Sequence, residues 1–119
     1  MGKQTRPKAL SGKTHKWVTN CGNIYVTVNR DEGGVKEVMV KLGKAGNCIP
    51  SWCEALSRVI SVALQCGADV DEIRKTLQGI RCQSPMMFPE EERVLSCPDC
   101  VASVLGEELG FRKETHVKS

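Results

Sequence analysis

Residues 21–44 read CGNIYVTVNRDEGGVKEVMVKLGK, and their alternation decides the fold. Ile24, Val26 and Val28 share one face of an extended run, and Val38, Val40 and Leu42 share one face of the next. A period of two marks a strand with one side buried. The intervening DEGG supplies residues suited to a tight reversal, so the stretch predicts an antiparallel hairpin. Two strands alone are marginal in water, so a further strand or helices must cover the apolar face.

Three helical patterns follow. In SWCEALSRVISVALQCG, Ser51 and Glu54 have capping-box spacing, and Leu56, Val59, Ile60, Ala63 and Leu64 recur at helical period. That stripe is expected to pack on the hairpin, with Gly67 reversing the chain at the helix end. Asp69 and Glu72 repeat the cap spacing ahead of Ile73 and Leu77, and Gly79 closes this shorter helix. IRCQSPMMFPEEERVLS holds two prolines and no long period, which predicts a loop with short extended pieces at PMMF or RVL. A third helix is predicted from CPDC, residues 97–100. Pro98 suits the first turn, Val101, Val104, Leu105 and Leu109 lie on one side, and Gly110 ends it. The sum is an α+β fold: a β-hairpin or small sheet covered by about three helices.

Outward from this body the pattern fades. MGKQTRPKALSGKTHKW has no sustained period, so residues 1–16 read as a flexible arm, 17–110 as a single domain and 111–119 as a tail. The arm holds Lys3, Arg6, Lys8, Lys13 and Lys16 with no acid, while twelve basic and fourteen acidic side chains lie beyond it. The net charge of +3 therefore belongs to the arm, and the body is nearly neutral. A chain of 119 residues has no room for a second catalytic domain. No run approaches the roughly 20 apolar residues of a membrane span, and the start lacks a secretory apolar segment. A cytoplasmic location, with no membrane partner, is the expectation.

The seven cysteines carry the chemistry. An odd number fits a fully paired disulfide scaffold poorly, and metal ligation or thiol chemistry fits better. Cys97 and Cys100 have the two-residue gap used by zinc sites and dithiol enzymes alike. Cys82 follows the second helix and Cys21 precedes the first strand, so all four stand at element ends where chain reversals can gather them. The spacing admits a four-thiolate zinc site on Cys21, Cys82, Cys97 and Cys100, a reversible Cys97/Cys100 dithiol, or buried inert thiols. Four thiolates accept iron as well as zinc. Both Cys97 and Cys100 would lie in a first helical turn, whose field lowers thiol pKa values. Cys48 and Cys53 flank the first helix start and are substitutes for Cys21 and Cys82, and Cys66 reads as a lone thiol. His15 in the arm and His116 in the tail read as solvated, and Glu54 as a capping acid. No Walker or dinucleotide loop, Ser/His/Asp arrangement or metallohydrolase motif is present, so no catalytic residue is assigned and independent catalysis is not expected.

Several motifs in order, NCGNIYVTVN, VKLGKAGNC, EALSRVISVALQCG, LQGIRC and SCPDC, resemble one family. It is the small cysteine-bearing TSCPD domain near the carboxyl end of adenosylcobalamin-dependent, class II ribonucleotide reductases. The resemblance covers about residues 19–105. It implies zinc binding, with Cys21, Cys82 and Cys97 at the family's positions and Cys100 completing the set. Leu95 stands where the motif name has threonine. The family's catalytic barrel is not part of this sequence. What the resemblance implies is a zinc-binding accessory module that meets a ribonucleotide reductase catalytic subunit or another protein. The rivals are a thiol redox carrier using Cys97 and Cys100, and a nucleic-acid-binding zinc module using the basic arm. Sparse aromatics, 4% of residues, argue against a specific base reader.

Overall fold

The computed structural model describes residues 9–19, 22–43, 49–82, 85 and 94–110. Three strands, β1 (Ser11–Thr19), β2 (Gly22–Asp31) and β3 (Gly34–Leu42), precede three helices, α1 (Ile49–Gln65), α2 (Val70–Leu77) and α3 (Cys97–Glu108). The strands form one antiparallel sheet in the order β1-β2-β3. This is a small α+β fold.

The predicted hairpin is β2 and β3. Ile24 faces Leu42, Val26 faces Val40 and Val28 faces Val38 across the pair, and all six are buried. Reversal takes two residues, Glu32 and Gly33, and the Asp31 carboxylate accepts from the Gly33 N–H at 2.8 Å. Gly34 has φ +119°, a conformation that side chains with a Cβ rarely adopt.

β1 corrects the reading of residues 1–16 as a flexible arm, because residues 11–16 belong to a strand paired with β2 along its length. Its inward positions include His15 and Trp17, opposite Val26 and Ile24, so a polar side chain stands where an apolar one would have announced a strand. His15 is consequently not solvated: its Nε2 lies 2.8 Å from Glu108 Oε2 on α3.

α1 starts two residues before the expected cap, and Ser51 lies inside it. Glu54 pairs with Arg58 one turn on, at the exposed surface, instead of capping the helix. The buried side of α1 is Cys53, Ser57, Ile60, Leu64 and Gln65, whereas Val59, expected in the stripe, is 66% exposed. The rotation follows from the helix lying along the outer edge of β3. Ser57 Oγ accepts from the Val40 N–H at 2.6 Å and donates to the Cys53 carbonyl at 2.9 Å. Ser61 Oγ accepts from the Val38 N–H and donates to its carbonyl, both at 3.1 Å. The two hydroxyls satisfy backbone groups that a fourth strand would otherwise pair, which covers an edge prone to sticking.

α2 and α3 pack together, and α3 lies against β1 and β2. Asp69 stands at the N-cap position of α2 but makes no side-chain capping bond. The core joins the inward strand residues to Ile60, Leu64, Val101, Val104 and Leu105. Of the RVL piece, Val94 is 1% exposed and forms an isolated bridge; of PMMF, only Pro85 is among the described residues. Among the described residues no helix is long and apolar enough to cross a membrane.

Candidate functional site

The start of α3 is held from three directions by the residues of SCPD. Ser96 is the N-cap in extended conformation, and its Oγ accepts from the Asp99 N–H at 3.1 Å. The same hydroxyl donates to the Ile80 carbonyl at 2.6 Å, tying the helix start to the chain leaving α2. Pro98 occupies the first turn, where the absent N–H costs no helical bond. Asp99, 7% exposed, accepts from the Gly79 N–H at 2.8 Å and the Leu95 N–H at 3.0 Å. A carboxylate here satisfies two backbone donors otherwise left without acceptors.

That clamp positions the thiols. The Cys82 N–H donates to the Leu95 carbonyl at 2.9 Å, which lays the segment after α2 beside the segment before α3. Cys82 and Cys97, both predicted site residues, therefore line one open cleft of about 210 Å³. α1 supplies the opposite wall through Trp52, Cys53 and Leu56. Cys82 is exposed, Cys97 half-buried and Cys53 buried. Trp52, 74% exposed, projects beside the cleft.

Cys97 and Cys53 line the same cleft, and hydrogen bonding between their thiols bears on the acidity of Cys97. That contact, with burial and charge repulsion from Cys53 adding to it, pushes the Cys97 thiol pKa far up. The neighbouring thiol and desolvation act against the acidifying field of the helix start that the sequence suggests.

Cys100 is separated from the cleft: it is fully buried one helical turn after Cys97 and packs in the core. Cys21 and the substitute Cys48 lie outside the described residues. Cys66 is half-buried at the far end of α1. Among the described residues no group of three or more His, Cys, Asp or Glu side chains is arranged to hold a metal ion. The donor chemistry of Cys82 and Cys97 suits zinc or iron; Cys53 lines the same cleft, and the three thiols are not arranged as a coordination shell. Cys53 entered the sequence reading only as a substitute. Its signal was the helical spacing from Cys53 to Ser57, Ile60 and Leu64, which puts it on the buried side of α1.

A second polar cluster forms at the other end of α3. Glu108 accepts from Arg30 and meets His15, and Glu107 lies 3.7 Å from His15 Nδ1. Burial raises the Glu108 pKa, but the hydrogen bonds to His15 and from Arg30 outweigh it and hold the carboxyl below the ordinary glutamate range. The cluster pins β1 and β2 to α3.

Among comparisons with known proteins, the family model described as the TSCPD domain matches residues 2–109, nearly the whole chain. No curated protein and no solved structure matches it.

Proposed function

This chain belongs to the TSCPD domain family, and on that premise we propose that it is a zinc-binding accessory module of the ribonucleotide reductase-related kind. In this reading it docks to a protein, a reductase catalytic subunit being the first candidate. The observation that carries the reading is the meeting of Cys82 and Cys97 in one cleft, brought there by the Cys82–Leu95 backbone bond. Cys21 and Cys100 complete the proposed ligand set; Cys100 follows Cys97 by one turn of α3 and, being packed in the core, joins the site only by turning its thiol toward Cys97.

When bound, zinc on four thiolates has a closed shell, so its contribution is a cross-link rather than water activation. The chain's own residues supply the positioning. Ser96 and Asp99 hold the start of α3 and the chain leaving α2 in one rigid unit, so the thiols are presented with little freedom to lose on binding.

Elemental analysis of protein purified under reducing conditions, with a thiol titration alongside, tests the reading. About one zinc per chain, lost in Cys82→Ser and in Cys97→Ser, is the expected result. A metal-free wild type with all seven thiols reactive overturns it.

A further inference from the structure

We propose that α1 is the interface of a homodimer, packed antiparallel against α1 of a second copy of this chain along a seam of Trp52, Ala55, Val59 and Val62. The proposal does not rest on the zinc reading.

The side chains of α1 are distributed the wrong way round for a helix whose only contact is its own core. Its inward face is half polar: Ser57, Ser61 and Gln65 stand among Cys53, Ile60 and Leu64, and the two serines serve the edge of β3. Its outward face carries Trp52, Val59 and Val62, which are 74%, 66% and 45% exposed, with Ala55 exposed between them. The four stand at intervals of three, four and three residues, the alternation that keeps one stripe of a helix facing a second helix. Apolar surface gathered into one stripe marks an interaction site, whereas single scattered apolar residues do not.

The charges beside the stripe select a second copy as the occupant. Glu54 and Arg58 lie one turn apart on one flank, both exposed and paired with each other. The other flank is uncharged, formed by the partly buried Leu56 and Ala63. In an antiparallel pair of identical helices, equal flanks face each other with their direction reversed. Setting Trp52 over Val62 of the second copy and Ala55 over its Val59 brings Arg58 within about 3 Å, along the axis, of the level of that copy's Glu54. Two reciprocal carboxylate–guanidinium pairs then form across one twofold axis, and the small Ala55 near that axis lets the helices approach closely. A parallel copy would set the charged flank against Leu56 and Ala63 and lose the match. The seam covers about three helical turns, so the contact belongs to the smaller, reversible class of interfaces.

Sedimentation velocity on the full chain as purified, over a dilution series, tests the proposal. A dimer that dissociates on dilution is expected. Val59→Glu, at an exposed position, should leave the circular dichroism spectrum unchanged and weaken the dimer about 100-fold. Glu54→Arg places like charges opposite each other and should weaken it about tenfold, and adding Arg58→Glu to that variant should restore it. A wild type still monomeric at about 1 mM, or a dimer indifferent to Val59→Glu, would overturn the proposal. Where Val59→Glu does not fold, the charge pair decides: no loss with Glu54→Arg, or no recovery in the double variant, excludes this interface.

Discussion

The two ends of α3 are fastened by different physics. At the amino end, Ser96 and Asp99 reach backbone groups within a few residues and on the chain leaving α2, in a buried setting. At the carboxyl end, Glu108 reaches side chains, His15 on β1 and Arg30 on β2, with the Arg30 side chain 41% exposed. The amino-end clamp satisfies backbone donors that have no water to turn to, whereas at the carboxyl end the Glu108 and His15 side chains are largely buried and only Arg30, released from its partner, is readily rehydrated. The amino end is therefore expected to carry more of the stability, and it is also the end that positions the thiols.

Asp99→Ala is the strongest way to break this contrast. It leaves the Gly79 and Leu95 N–H groups without their acceptor and is expected to cost about 3 kcal/mol in denaturant unfolding. A loss no larger than that from the Glu108 change below would contradict the comparison. Ser96→Ala removes the cap and the bond to Ile80, with an expected loss of about 1.5 kcal/mol by the same measurement. Glu108→Gln, whose amide oxygen can still accept from Arg30, should cost about 1 kcal/mol at neutral pH.

A pH series sharpens the comparison further. Because the folded-state pKa of Glu108 is lowered, its contribution is fully present above the ordinary glutamate value of about 4.3. It is lost as the pH falls through the lowered folded value. The difference in unfolding free energy between wild type and Glu108→Gln should therefore shrink on acidification below about pH 4. A difference that stays constant from pH 7 to pH 3 would remove Glu108 from the account.

The same division between local and long-range forces separates what was readable beforehand from what was not. The β2–β3 hairpin and the opening of α3 were legible because their signals are local: alternating valines, a tight turn, and a cap followed by proline. β1 was not, since its inward His15 owes its place to Glu108, distant in sequence, and no period along residues 11–19 records that. α1 was read as a helix but turned to the wrong side. Val59 is as apolar as any core residue, while Ser57 and Ser61 face inward because the edge of β3 needs hydrogen-bond partners there. For the site, Cys97 opens α3 and Cys82 lies in the segment after α2, and the structure adds their shared cleft. The neighbour of Cys97 across that cleft, Cys53, was visible only as a substitute.

By itself the sequence determined an α+β body, the strand pair at its centre, and a cysteine at a capped helix start, because turn chemistry, alternation and capping act between residues close along the chain. The tertiary structure alone decided that residues 11–19 form an edge strand, that α1 seals the opposite edge through serines, and that Cys97 meets Cys53 while Cys100 goes into the core. Those outcomes depend on which surfaces meet once the chain is compact, and burial and hydrogen-bond satisfaction there are set by residues far apart in sequence.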